Sequence, residues 1–349
     1  MQICSRCILP ETIPNISFDK EGICNFCQSF EKMKKKSVTT SLYLNEQKML
    51  KILKTNRKKF PYDCICLYSG GKDSTFMLYS LVKKYNLRVL AFTLDNYFLA
   101  PETHTNIKKV LKIINVDHIF YRPDFDLAKE LYKAVINESY RLNIAKELSF
   151  MMGFVCWPCF TMIGQYALKT ALEKHIPNIV IGTTPGQLHQ KKYNLLSKYN
   201  GVLDTYRSMN LPMLKLLKLA GYRKGQQLFR LSLKEKVMSL QIQLVPFYEY
   251  IPYQEDEILK TIEKELGWQK PQNTDSCSTN CELNSLGILL HIQRYGIHPY
   301  VIPLAHDVRE GIIEREEALK SVNALPKFDV ASNIAKKLGI EFPLRSQKD

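Results

Sequence analysis

The stretch YDCICLYSGGKDST, residues 62–75, constrains the fold more than any other part of the chain. Cys64, Ile65, Cys66, Leu67 and Tyr68 form a short apolar run of the kind that makes a buried strand. The run breaks at Ser69-Gly70-Gly71-Lys72-Asp73-Ser74. A helical pattern follows, with Phe76, Met77, Leu81 and Val82 on its apolar face. Strand, glycine turn and helix together point backbone N–H groups and the positive end of a helix at an anion, and Lys72 adds a full charge. Two glycines let the backbone approach a phosphate with no side chain between. Ser69 and Ser74 add hydroxyl donors. The plainer alternative is a Gly-Gly turn that only joins a strand to an amphipathic helix.

The spacing is not that of a Walker A loop, which needs an earlier glycine four residues before Gly-Lys-Ser/Thr. All six residues Ser69–Ser74, placed after a β-like run and before a helix, instead resemble the PP-loop of the adenine nucleotide alpha-hydrolase, or N-type ATP pyrophosphatase, superfamily. The resemblance implies cleavage of ATP between its α- and β-phosphates and adenylation of a substrate oxygen. It puts Ser69, Gly70, Gly71, Lys72, Asp73 and Ser74 on the nucleotide. Lys72 would stabilise the departing pyrophosphate, and Asp73 would hold Mg²⁺ or orient the loop.

From residue 62 onward strand-like and helix-like runs alternate. Strands are expected at 62–68, 88–94, 117–121 and 178–181, and helices at 73–85, 103–114, 125–148 and 160–174. Alternation of this kind gives an α/β fold with a Rossmann-like parallel sheet. Ligands then bind beyond the carboxyl ends of the strands. That edge would carry Ser69–Ser74, Asp95-Asn96 and Gly182–Gln187, with Asp95 and Gly182 bordering the nucleotide. Residues 61–187 form the expected ATP-pyrophosphatase domain. Residues 188–265 lose the βα rhythm and read as helices, including 211–219 and 222–236. With the remainder to 349 they make a helical C-terminal extension that covers the site and decides the substrate. A further helix is expected to begin near Glu314-Arg315-Glu316-Glu317.

Residues 1–30 hold Cys4-x-x-Cys7 and Cys24-x-x-Cys27. Two such pairs can set four thiolates tetrahedrally around one Zn²⁺, and the turn-rich residues between them suit a zinc ribbon. An iron–sulfur cluster is the alternative for the same ligands. Residues 31–60 are a lysine-rich linker with a helix from Leu42 to Leu53.

With 349 residues the chain can bury a large core, and no run approaches the roughly 18 apolar residues of a membrane span. The first residues show no apolar signal region, so a cytoplasmic protein with no membrane association is expected. Ten cysteines in that setting read as ligands or catalysts rather than disulfides. A net charge of +15 favours a polyanionic partner such as ATP or tRNA, although lysine-rich chains are often basic without binding nucleic acid.

Cys156-Trp157-Pro158-Cys159 precedes a helix, where a thiol pKa is expected to fall. The pair fits a thioredoxin-like redox couple, a persulfide carrier with its resolving thiol, two ligands of an iron–sulfur cluster completed by Cys277 or Cys281, or two packed and inert cysteines. Cys64 and Cys66 fall on one face of a strand and read as core. His175, His189 and His291 form no metal spacing. The pairs near His298-Pro299-Tyr300 and His306-Asp307 are candidates for substrate contact.

The order PP-loop, CxxC, distant cysteine is similar to the cluster-dependent tRNA thiolases of the superfamily. That likeness implies a [4Fe–4S] cluster on Cys156, Cys159 and one of Cys277 and Cys281, with sulfur displacing AMP from the adenylated carbon. A second likeness, carried by Cys4–Cys27, YDCICLYSGGKDS and residues 309–318, is to the N-acetyl sugar amidotransferase group. It implies ammonia from a separate glutaminase as the nucleophile. Substrate (tRNA or a small molecule), sulfur donor or glutaminase partner, and assembly as a homodimer stay open between the two. Gly182-Thr183-Thr184-Pro185-Gly186-Gln187 departs from both patterns.

Overall fold

A computed structural model describes residues 1–34, 42–55, 59–188, 206–272, 274 and 278–343. Cys277, His189 and residues 35–41 and 56–58 of the lysine-rich linker lie outside the described residues.

Five parallel strands form the centre of the molecule, in the order β3-β2-β1-β4-β5. They are β1 (Cys64–Leu67), β2 (Val89–Leu94), β3 (Asp117–Tyr121), β4 (Asn178–Ile181) and β5 (Gln243–Pro246). Ile65 of β1 pairs with Leu90 on one side and Ile179 on the other. β1, β2 and β4 are buried at every position, as strands covered on both faces must be. The chain runs outward from β1 to β3 and then returns to β4 beside β1. The crevice at that reversal, above the carboxyl ends of β1 and β4, is where such sheets take ligands.

The helices sort by face. Before the sheet come α1 (Asn25–Lys34) and α2 (Leu42–Lys54). α3 (Lys72–Tyr79) and α4 (Pro101–Ile114) connect β1 to β3. α5 (Phe125–Glu138), α6 (Asn143–Met152) and α7 (Cys156–Glu173) connect β3 to β4. α8 (Pro185–Leu188), α9 (Leu211–Leu219), α10 (Arg223–Leu228) and α11 (Leu233–Ser239) precede β5. α12 (Glu255–Leu266), α13 (Leu283–Tyr295), α14 (Val301–Glu310), α15 (Arg315–Asn323) and α16 (Phe328–Leu338) complete the chain. Cys64, Cys66, Ala91, Val180 and Val245 face α3, α4 and α12 in one core. Ile65, Leu67, Phe92 and Ile179 face α5, α7, α13 and α16 in the other. Both strand cysteines are therefore core residues on one face, as their alternation requires.

Three elements differ from expectation. The helix expected over 125–148 is two helices, because the polar run 137–143 turns at Ser139–Arg141 and Leu142 is extended. The segment 222–236 also divides, and α11 starts on a capping box made by Ser232 and Glu235. The sheet does not end at residue 187: β5 joins β4 in register, Ile179 against Leu244. Four residues ending in a proline offer too little alternation to announce a strand, and an edge position tolerates that proline.

Residues 1–30 do not stand apart. Ile8, Leu9 and Ile13 pack with Ile297, Val301, Ile302, Ala305 and Ala318. Arg315 at the start of α15 donates from Nε to the Cys7 carbonyl (2.9 Å) and from Nη2 to the Cys4 carbonyl (3.0 Å). Among the described residues no single helix is long and apolar enough to cross a membrane; α6 and α7 pass that test only as a pair bent by 95°.

Candidate active site

The loop between β1 and α3 has the geometry its glycines suggest. Gly70 sits at φ +79°, and a Cβ there would lie 2.8 Å from both the Thr103 and Ile107 side chains. Ser74 Oγ accepts from the Ser69 N–H (3.1 Å) and donates to the Gly71 carbonyl (3.1 Å), closing the loop on itself. Thr75 adds a hydroxyl bond to the same carbonyl (2.8 Å). Trp268 Nε1 holds the Gly70 carbonyl from outside (3.0 Å). Gly182, at the end of β4, comes against Met77 and the backbone of Ser74, so the β4 turn borders the loop.

Lys72 is buried, and its ammonium donates to the Tyr253 hydroxyl (2.6 Å) and to Asp73 Oδ1 (2.9 Å), with Glu255 at 3.6 Å. Tyr253 also donates to Asp73 Oδ1 (3.0 Å), and Tyr248 to the Asp73 carbonyl (2.9 Å). Burial, reinforced by the Asp73 charge, raises the Tyr253 hydroxyl pKa far above its ordinary value, so it stays a neutral donor. The Lys72 N–H, at the first turn of α3, donates to Thr279 Oγ1 (3.2 Å). A hydroxyl oxygen thus holds the place that an anionic oxygen takes at such a helix end.

The carboxylate of Asp95 is held by its own neighbours. One oxygen accepts from the Tyr97 N–H (2.8 Å) and the other from Arg122 Nε (2.7 Å), and the side chain is buried. The sequence reading set Asp95 on the nucleotide; both its oxygens are committed within the protein, where they fix the turn that presents Asn96. Asn96 Nδ2 lies 3.2 Å from Cys281 Sγ and 3.7 Å from Cys159 Sγ. Cys156, one turn from Cys159, donates to Asn284 Oδ1 (3.8 Å). Asn96 therefore links Cys159 and Cys281, and Asn284 holds Cys156.

The expected fall in the CxxC thiol pKa is not what the structure shows. α7 begins at Cys156 itself, with Pro158 in its first turn, and Cys156, Cys159 and Cys281 are each half-buried. Burial pushes Cys156 and Cys281 up to about 12 and raises Cys159 as well. Desolvation outweighs the helix N-terminus. Thiols kept protonated in this way are poor nucleophiles on their own. Among the described residues Cys156, Cys159 and Cys281 are the thiols near Asn96 and Asn284, a donor set of the chemistry an iron–sulfur cluster uses.

The N-terminal cysteines are a different kind of site. The sulfurs of Cys4, Cys7, Cys24 and Cys27 all lie within 4.8 Å of one another and are buried. Cys4 and Cys27 are 3.9 Å apart, Cys7 and Cys24 3.8 Å. Zn–S bonds of about 2.3 Å in a tetrahedron put sulfurs roughly 3.8 Å apart. The N–H groups of Cys7 and Cys24 both approach Cys4 Sγ, at 3.4 and 3.3 Å. Hydrogen-bonded to Cys24 and buried, the Cys7 thiol pKa is raised above its ordinary value. The arrangement fits one Zn²⁺ with no open position.

Reasoning from the sequence missed Tyr248, Tyr253, Trp268, Thr279 and Asn284. They reach the site from segments with no motif, and only the neighbourhood of Cys281 could have drawn attention to Thr279 and Asn284. His291, which the sequence gives no metal spacing, has its two ring nitrogens on the Ile297 and Phe150 carbonyls and serves the core.

No family model matches the chain. It is 24% identical over 330 residues to an uncharacterized protein of Methanocaldococcus jannaschii, covering 91% of this chain and 92% of the other. Similar solved structures include the U34-tRNA thiolase NcsA from Methanococcus maripaludis with its [4Fe–4S] cluster (15% identity, TM-score 0.38, 100% of this chain and 92% of that one). The NMN synthetase from Francisella tularensis is another (12%, TM-score 0.32, 88% and 100%). A third is the NAD⁺ synthetase from Burkholderia pseudomallei (12%, TM-score 0.28, 69% and 93%). The chain's own features define its class: a parallel α/β sheet with a glycine-rich Ser69–Ser74 cradle after its central strand, a four-cysteine N-terminal module and a helical C-terminal region.

Proposed function

We propose that the chain is an enzyme that uses ATP to adenylate a carbonyl oxygen of its substrate and then replaces that oxygen with sulfur. One observation carries the reading. Residues 279–281 touch the phosphate cradle with Thr279 and Asn280 and the thiol trio with Cys281, so both halves of such a reaction share three consecutive residues.

The cradle Ser69–Ser74 binds the phosphates through backbone N–H groups and hydroxyls, with Lys72 on the departing pyrophosphate and Asp73 as the carboxylate for Mg²⁺. Gly182 keeps the β4 turn close to the loop. The carbonyl oxygen of an amide-type substrate attacks the α-phosphorus. The bond to the bridging oxygen breaks, and its electron pair leaves with pyrophosphate, which also takes the amide proton. Hydrosulfide then adds to the carbon, and AMP leaves with the former carbonyl oxygen and its electron pair. The resulting group is a thioamide. Adenylation is needed because an unactivated carbonyl oxygen does not leave. A [4Fe–4S] cluster on Cys156, Cys159 and Cys281 would supply a Lewis-acidic site for the sulfur. Asn96 orients two of those thiols.

The test is a single-turnover reaction of candidate amides with ATP and either hydrosulfide or ammonium. AMP, pyrophosphate and a product in which sulfur has replaced oxygen support the reading. Amidine formation with ammonium, and none of the sulfur product, would move the assignment to amidation. Location in the cytoplasm and pairing as a homodimer belong to the same proposal and are read by fractionation and light scattering.

A further inference from the structure

Lys72 is held by a segment that the reaction steps above do not use. Tyr248 and Tyr253 lie between β5 and α12, and their rings meet edge to face, 5.1 Å apart at an interplanar angle of 77°. Tyr248 is 4% exposed, and its hydroxyl donates to the Asp73 carbonyl (2.9 Å). Ile258 and Ile262 of α12 share a core with Met77 and Leu78 of α3. Tyr253 therefore reaches the first turn of α3 from a packed frame. A tyrosine has two side-chain torsions to fix, whereas a lysine carries its charge on a flexible four-carbon stem.

The protons around Lys72 can be followed one by one. Its ammonium donates to the Tyr253 oxygen (2.6 Å) and to Asp73 Oδ1 (2.9 Å). Tyr253 has a single proton to give, and it lies 3.0 Å from the same Asp73 oxygen and 3.5 Å from Glu255 Oε2. The shorter bond goes to Asp73. Glu255, half-exposed, stands 3.6 Å from the ammonium as a second claim on its charge. An arriving phosphate must draw Lys72 away from two carboxylates. As it does so, Asp73 Oδ1 loses one charged donor and keeps the neutral Tyr253 donor. Without that hydroxyl the oxygen would hold Lys72 as its remaining partner of the two. A hydrogen bond to a charged group shifts an equilibrium roughly ten- to hundredfold.

We propose that Tyr253 is a positioning residue for pyrophosphate: it satisfies Asp73 Oδ1 while the Lys72 ammonium passes from the carboxylates to the phosphate. It acts through Lys72 and does not itself touch the ligand. The assignment rests on the reading that Lys72 meets the departing pyrophosphate. It gives the segment after β5 a part in the ATP half of the reaction.

The experiment is isothermal titration calorimetry of the full chain with inorganic pyrophosphate and Mg²⁺, with no ATP, iron or sulfur source added. Folding of each variant is checked by circular dichroism. Wild type should bind. Tyr253→Phe, which keeps the ring and loses the hydroxyl, should bind about tenfold more weakly. Lys72→Met should bind at least as weakly as Tyr253→Phe. The double variant should be no weaker than Lys72→Met alone, because a residue that acts through Lys72 has nothing to add once Lys72 is gone. If Tyr253→Phe does not fold, p-aminophenylalanine in place of Tyr253 decides: it keeps a neutral donor at the same reach and should bind as wild type does. Unchanged affinity in folded Tyr253→Phe, additive losses in the double variant, or a loss with p-aminophenylalanine would each overturn this assignment and leave the phosphate cradle standing. Absence of pyrophosphate binding to folded wild type would overturn the cradle reading and this assignment with it.

Discussion

Lys72 is held 2.6 Å from the Tyr253 hydroxyl and 2.9 Å from Asp73, in a cradle that has a hydroxyl, Thr279, where an anionic oxygen belongs. On the proposed reading its charge is aimed before nucleotide arrives, and preorganised charge is the largest single contribution to stabilising a leaving pyrophosphate. Lys72→Met is expected to lower kcat/KM for pyrophosphate release by about 10²-fold while circular dichroism stays unchanged. Gly70 is a second residue with a defined cost. A side chain at φ +79° is strained, and its Cβ would press on Thr103 and Ile107 at 2.8 Å, so Gly70→Ala should lose about 1–3 kcal/mol in urea unfolding. Two histidines set a pH dependence. Burial lowers His118 and His298 to about 4, against about 6.5 in an unfolded chain. Between those values the unfolded chain binds protons that the folded chain refuses. The contribution of these two histidines should therefore be level above pH 7, and stability should fall as pH drops from 6.5 toward 4. Equal urea midpoints at pH 7.5 and pH 5 would contradict this.

Among the elements, the β4 turn and α14 show how the site is framed. At Gly186 a Cβ would run into the Pro303 carbonyl and lie 2.6 Å from Asp307 Oδ1, so this glycine lets α14 pass against the turn that borders the cradle. Gly186→Ala should destabilise the fold by about 2 kcal/mol or more, read as a lower urea midpoint. The elements also show what a sequence makes legible. β1, the glycine loop and α3 are contiguous, and each follows from a local run, so the cradle and the parallel sheet could be read directly. The CxxC pairs carry their spacing in the chain. Nothing local marks Asn280, which reaches the Ser69 carbonyl across 211 residues, or Thr279, which reaches Lys72 across 207. β5 is too short to alternate. The thiol pKa shift inverted because burial by α5 and α13 is a tertiary fact that the CxxC spacing does not contain.

Across the whole molecule, the N-terminal module is fastened to the C-terminal helices rather than to the linker that follows it. Ile8, Leu9 and Ile13 share a core with α14 and α15, and Arg315 bonds the carbonyls of two cysteines. Zinc in the module would thus stabilise α14, and through it the β4 turn. Chelation of zinc should lower the melting temperature of the full chain by several degrees or more. Arg315→Ala should lower it less. If chelation left the melting temperature unchanged, the module would be decoupled from the rest.

The reaction assigned to this chain depends on what Cys156, Cys159 and Cys281 hold. Metal and acid-labile sulfide should be measured after anaerobic purification of wild type and Cys156→Ala. A [4Fe–4S] cluster predicts about four iron and four sulfide per wild-type chain together with one zinc. In Cys156→Ala, iron and sulfide should be lost while zinc is kept. Zinc alone in both proteins would contradict the cluster and, with it, cluster-dependent thiolation.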